Sequence, residues 1–209
     1  MEPDAVEIRV LGCLLEKQRT TPDVYPLTLN ALRAACNQTT SREPVVDYDD
    51  ATIRDALQRL AQRRWTRLAS ASRAPKYRHL LDEALELDTA QLAVLTPMML
   101  RGPQTFNELR TRTQRLYDFA SEDDLHTTID GLIERDLVEL LERRPGQKEQ
   151  RYRQLLGGEQ EEGDVRAVAQ APAPAPAPAP VDDDRLDRLE AEVAALRREL
   201  AELRAELGA

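Results

Sequence analysis

Pro26-Leu-Thr-Leu-Asn-Ala-Leu-Arg33 returns as Pro103-Gln-Thr-Phe-Asn-Glu-Leu-Arg110, and that recurrence decides how the chain is read. Working outward, Lys76-Tyr-Arg-His-Leu-Leu81 returns as Arg151-Tyr-Arg-Gln-Leu-Leu156. Between these landmarks Ile53, Leu57, Leu60, Trp65 and Leu68 match Leu125, Ile129, Leu132, Leu137 and Leu140 without a gap. The offset of about 75 residues is too long for a solenoid unit and suits a small domain. The chain is therefore expected to hold two copies of one fold, each closing its own apolar interior.

The first copy, residues 1–82, opens with an apolar-periodic helix from Val6 to Lys17, stopped by Thr21-Pro22 and Tyr25-Pro26. A second helix is expected over Leu27 to Cys36, then a polar loop from Asn37 to Asp47. Asp49 or Asp50 caps a third helix reaching to about Arg64, with Ile53, Ala56, Leu57 and Leu60 inward and Asp55, Gln58, Arg59 and Gln62 outward. Trp65 to Ala69 and Lys76 to Leu80 read as strands around a small polar turn. Three helices followed by a hairpin is the winged-helix order, a variant of helix-turn-helix. The second copy, residues 83–156, repeats it: a helix from Asp88 to Leu100, a Thr105/Glu108 capping box, a third helix capped by Ser121, and a hairpin turning at Arg144-Pro-Gly-Gln. The expected class is mainly α with small β-hairpin wings.

Residues 157–181 are expected to be a disordered acidic and Ala-Pro linker. Its five Ala-Pro pairs, Ala171 to Pro180, favour a polyproline spacer about 31 Å long, though such a run also suits a proline-binding groove. Residues 182–208 are expected to form a last helix, with Leu186, Leu189, Val193, Leu196, Leu200, Leu203 and Leu207 at alternating spacings of three and four. Flanking charges pair Arg185 with Glu190, Glu192 with Arg197, and Glu199 with Arg204 only in a parallel arrangement. A parallel homodimer is expected; the alternative is an amphipathic helix docked on its own domains.

Charge is uneven along the chain. Net charge is −9, yet residues 1–82 carry 13 basic and 11 acidic side chains, and Arg54 to Arg78 holds eight basic residues against Asp55 alone. That stretch leaves room for a specific nucleic-acid site on an otherwise acidic protein. Gln58, Arg59 and Gln62 are the candidates for base edges, and Arg63, Arg67, Arg73, Lys76 and Arg78 for phosphates. Asp49, Asp50 and Asp55 count against the helix, and Glu122, Asp123, Asp124, Asp130 and Glu134 make its second-copy counterpart acidic. The second copy is expected not to bind DNA but to pack against the first copy or meet a protein partner.

No phosphate loop, nucleophile elbow or metal-ligand spacing occurs, so neither an enzyme, a metal nor a cofactor is expected. No apolar run reaches membrane-spanning length and no signal peptide opens the chain, which points to the cytoplasm. Cys13 and Cys36 sit on apolar helix faces, as buried free thiols or, alternatively, as a reactive or disulfide pair.

The run Glu16-Lys-Gln-Arg-Thr-Thr-Pro-Asp-Val-Tyr-Pro-Leu-Thr-Leu-Asn-Ala-Leu-Arg-Ala-Ala-Cys-Asn-Gln38, with Ser41-Arg-Glu-Pro-Val45 and Leu100-Arg-Gly-Pro-Gln104, resembles the YceH-like family of bacterial proteins. The resemblance covers roughly residues 5–156. It implies a tandem winged-helix fold in a bacterial cytoplasmic protein, and it implies no activity and no ligand residues. The function expected from the residues is DNA binding through the first copy; the alternative is an adaptor whose winged helices bind protein.

Overall fold

A computed structural model describes residues 2–70, 75–143 and 149–157. Arg73, the turn at 144–147, the Ala-Pro run and the whole heptad segment with Leu186 through Leu207 lie outside the described residues.

The protein is mainly helical with two small antiparallel sheets. Helix α1 (Ala5–Thr20) starts in a capping box: Glu7 N–H donates to Asp4 Oδ1 at 2.8 Å, and Asp4 N–H donates to Glu7 Oε2 at 3.0 Å. Strand β1 (Leu27–Thr28) follows, then α2 (Leu29–Cys36) and α3 (Asp50–Gln62). Strands β2 (Thr66–Ser70) and β3 (Lys76–His79) close a sheet ordered β1-β3-β2. A short helix, α4 (Leu81–Leu85), leads into the second copy.

There the order recurs as α5 (Thr89–Arg101), β4 (Gln104–Thr105), α6 (Phe106–Thr113), α7 (Glu122–Glu134), β5 (Val138–Leu141) and β6 (Arg151–Gln154), with sheet order β4-β6-β5. The correspondence reaches the caps. Thr28 and Thr105 cap α2 and α6, Asp49 and Ser121 cap α3 and α7, and Asp88 with Gln91 repeats the box of Asp4 with Glu7. Helices α3 and α7 both end through a non-glycine residue at positive φ, Arg64 at 62° and Asp136 at 54°. Tyr77 lies opposite Leu68 and Leu27 in the first sheet, as Tyr152 lies opposite Leu140 and Gln104 in the second.

Two expectations need correcting. Leu27 does not begin a helix; it pairs with Tyr77 in β1, and the helix starts after the Thr28 cap, whose hydroxyl accepts from Ala31 N–H at 3.3 Å. Nor are the interiors separate: buried residues from Ile8 to Leu156 form one cluster, within the compact unit Met1–Glu162. At its centre α1 packs on α5. Gly12 makes that approach possible, because a Cβ there would stand 2.9 Å from Leu100 Cδ2 and 3.0 Å from Met99 Cβ. Val10, Leu11, Leu14 and Leu15 are all buried, so α1 is covered on several sides, as a helix shared by two halves must be.

Among the described residues no helix is long and apolar enough to cross a membrane, and no three histidine, cysteine or acidic side chains are grouped to hold a metal ion.

Candidate nucleic-acid interface

The inward stripe of α3 is fixed by burial: Ile53, Ala56, Leu57 and Leu60 lie in the core. Its opposite face must then meet solvent, and Arg54, Gln58 and Gln62 are all exposed at four-residue spacing along it. Arg54 belongs to this stripe, although the sequence reading used it only as part of a basic run. The signal was available, since it stands one turn before Gln58. The α7 residues in the same places are His126, Asp130 and Glu134, also exposed.

Three of the expected basic contacts are engaged within the molecule. Arg59 pairs with Asp4 at 2.6 Å and with the buried Glu7 at 3.2 Å. Arg63 reaches Glu7 at 3.4 Å, and Arg78 pairs with Glu83 at 2.7 Å. These side chains tie α3 to α1 and the hairpin to α4, so their charge is largely spent inside the protein. Arg67 is exposed and Lys76 half-exposed on the hairpin. Arg73 is outside the described residues.

The acids of α3 are engaged as well. Asp49 accepts from Thr52 N–H at 2.8 Å, and that bond holds its carboxyl below the ordinary range. Asp50 faces Arg33 of α2 at 3.1 Å, an ion pair repeated in the second copy by Arg110 and Glu122. Of the three carboxylates expected to repel phosphate, only Asp55 is without a partner among the described residues.

The hairpins differ most clearly. Residues directly opposite in an antiparallel pair share a face, and like charges there are destabilising. On the first hairpin Arg67 lies opposite Arg78. On the second, the same places hold Glu139 and Arg153, whose Nε donates to Glu139 Oε1 at 2.6 Å. Arg78 is met by Glu83 from α4, so on the first hairpin it is Arg67 that has no acid opposite it, where the second hairpin pairs its own charges.

His79 anchors the root of the first hairpin. It is buried, its Nδ1 accepts from Leu81 N–H at 3.3 Å, and its Nε2 lies 2.6 Å from Gln18 Oε1. This pattern assigns a neutral ring with the proton on Nε2. Burial pushes its pKa down to about 4, against the opposing pull of Asp82. Asn37, just past the end of α2, is a loop clasp: its amide donates to Tyr48 O at 2.8 Å and accepts from Tyr48 N–H at 2.9 Å.

With this geometry in view, the relatives can be placed. The family described as "Protein of unknown function, DUF480" matches residues 4–147. A "UPF0502 protein" of Pseudomonas syringae pv. tomato is 44 % identical over 204 residues, 97 % of this chain and 92 % of its own. Another from Pseudomonas putida is 47 % identical over 189 residues, 90 % of this chain and 88 % of its own. A third, from Solibacter usitatus, is 44 % identical over 202 residues, 96 % of each chain. Similarity therefore continues past residue 156, where the resemblance read from the sequence stopped. On this extent of identity the chain belongs to the DUF480, or UPF0502, family of bacterial proteins.

Proposed function

We propose that this is a non-enzymatic, cytoplasmic DNA-binding protein built of two winged-helix units, with only the first facing the duplex. The order helix–strand–helix–helix–strand–strand in each copy supports the winged-helix reading. Helix α3 would enter the major groove with Arg54, Gln58 and Gln62 toward base edges, while Arg67 and Lys76 meet phosphates. The observation that carries this reading is the exposed Arg67 on the first hairpin, which faces Arg78 across the strands while Arg78 is already paired with Glu83. With Arg78 met by Glu83, the exposed Arg67 has no acid opposite it across the strands, and a phosphate backbone would supply an anion for it. A parallel coiled coil through Leu186 to Leu207 would bring two such heads together and raise avidity.

The test is binding of the full chain to duplex DNA over a salt series. Each phosphate neutralised contributes about −0.9 to the slope of log affinity against log salt. Lys76→Ala should reduce that slope by about one unit for all sequences, whereas Gln58→Ala should relax preference at one position of the site. A flat salt series would overturn the reading.

The second reading, an adaptor that binds protein, is favoured by a different observation. Exposed Leu68 and Leu140 stand at equivalent places on both hairpins, and α7 is acidic. A pull-down from native lysate separates the two: partners lost on nuclease treatment support DNA binding, and partners retained support the adaptor.

A further inference from the structure

The middle of the outer side of α3 is an acid. Ile53, Ala56, Leu57 and Leu60 hold the inner side of the helix in the core. An α-helix turns about 100° per residue, so Asp55 stands about 200° round from Ile53, on the side turned away from the core. Ala51, one turn before it, and Gln58 and Gln62 after it complete that outer row, and all four are exposed. Arg54 lies on the flank of the row. The acids at the start of the helix serve the fold: Asp49 accepts from Thr52 N–H at 2.8 Å, and Asp50 meets Arg33 at 3.1 Å. The Asp55 carboxylate has no hydrogen-bond or ion-pair partner among the described residues, so no contact within the fold accounts for it.

A helix that enters the major groove by this side carries the Asp55 carboxylate to the base edges; the phosphates stand at the walls of the groove, beside the flanks of the helix. The role of Asp55 rests on the DNA binding proposed above. An ionised carboxylate can only accept hydrogen bonds. On their major-groove edges, guanine shows it two acceptors, N7 and O6, and thymine shows the O4 acceptor and a methyl group. Adenine offers its N6 amino group but sets the N7 acceptor beside it. Cytosine offers its N4 amino group and no acceptor of its own. Three bases thus oppose the carboxylate wholly or in part, and one satisfies it.

We propose that Asp55 is a specificity-determining residue of the first copy: its carboxylate accepts from the N4 amino group of a cytosine and fixes that base at one position of the DNA site. The acid that counts against phosphate binding then acts as a filter. A wrong base leaves the carboxylate stripped of water and unpaired, and the cytosine amino group relieves it. Ala51, with only a methyl group, leaves room for the start of the helix to come close to the bases. The second copy lacks this arrangement. The same row on α7 is Asp123, Thr127, Asp130 and Glu134, all exposed. In the place of Asp55 it has a hydroxyl, which both donates and accepts and so selects no single base.

The test selects duplexes from a randomised pool with the full chain, natural and Asp55→Asn, and measures affinity for the selected site and its single-base variants over a salt series. The natural chain should enrich cytosine at one position and bind about tenfold more weakly when that base is changed. Asparagine keeps the shape but donates as well as accepts, which suits N6 and N7 of adenine, so Asp55→Asn should change the choice at that position from cytosine to adenine. Asp55→Ala should still bind DNA and lose the choice there. An acid that only repels phosphate predicts a different result: both variants would bind every duplex more tightly by one factor, with preference unchanged. That result, or a natural chain that binds in a salt-dependent way and enriches no base, would overturn the role of Asp55 and leave DNA binding by the first copy standing. A natural chain without salt-dependent binding would overturn both.

Discussion

Helices α1 and α5 occupy equivalent places, begin with the same capping box and pack on each other at the centre, yet they bury opposite chemistry. Helix α1 takes Glu7, Arg9 and Glu16 into the interior; α5, in the matching places, carries Gln91, Ala93 and Leu100. The charges of α1 each hold a distant segment. Glu7 holds Arg59 and Arg63 of α3, Arg9 holds the loop at Pro44, and Glu16 holds Arg42 and reaches across to Arg115 of the second copy. The first copy spends charge on fixing the helix and loop that precede its exposed face. The second copy, with a shorter connection between α6 and α7, packs with leucine, methionine and proline and needs no such clasps.

The largest effect should come from breaking the α1 clasp. Glu16→Ala strands Arg42 in the interior and should cost about 3–5 kcal/mol in denaturant unfolding. Replacing Glu16 and Arg42 together by Leu and Met should recover most of that loss. If the single variant unfolds like the natural chain, the clasp is not what holds the loop.

A second contrast lies at the hairpin roots. His79 Nδ1 accepts from Leu81 N–H, and Gln154 Oε1 accepts from Leu156 N–H at 2.7 Å, so an imidazole and an amide do one job. Only the imidazole titrates. Above its ordinary pKa of 6.5 it is neutral folded or unfolded; between 6.5 and about 4 the unfolded chain binds a proton that the folded chain excludes. Stability should therefore fall as pH drops through that window, with a full loss of about 3 kcal/mol at about 1.4 kcal/mol per unit. His79→Gln should remove this share of the pH dependence, making the first hairpin behave like the second. An unaltered pH profile would contradict it.

The glycines give the smallest pair of effects. Gly12→Ala drives a methyl into Leu100 and should destabilise by about 1–3 kcal/mol. Gly131, in α7, has nothing within 4 Å of where its Cβ would stand, so Gly131→Ala should stabilise by about 1 kcal/mol through helix propensity. Equal effects at the two sites would show that the α1–α5 approach is looser than it looks.

Much of this was legible in the residues, and for identifiable reasons. The long helices are there because their apolar stripes are periodic, and Asp49, Thr105 and Ser121 announce their starts. The strands β1 and β4 were not legible: two residues carry no alternation, and only pairing with β3 and β6 makes them strands. Helix α4 is likewise too short to show a period. The fused interior left a trace, since Val10, Leu11, Leu14 and Leu15 are apolar on more than one side of α1, but periodicity names one partner for a helix, not two. At the candidate interface the residue types were legible and their availability was not. Nothing in the local sequence couples Arg59 to Asp4 or Arg63 to Glu7, more than fifty positions away. The opposition of Arg67 and Arg78 depended on register, which only the paired strands define.

The most direct test of the account is Arg67→Glu in the full chain, which gives the first hairpin the charge pairing of the second. The cross-strand pair with Arg78 should leave the fold as stable or add up to about 1 kcal/mol, while DNA affinity falls and the salt slope shrinks by at least about one unit. A variant that is no less stable and binds DNA with unchanged affinity and slope would contradict the assignment of this face to DNA.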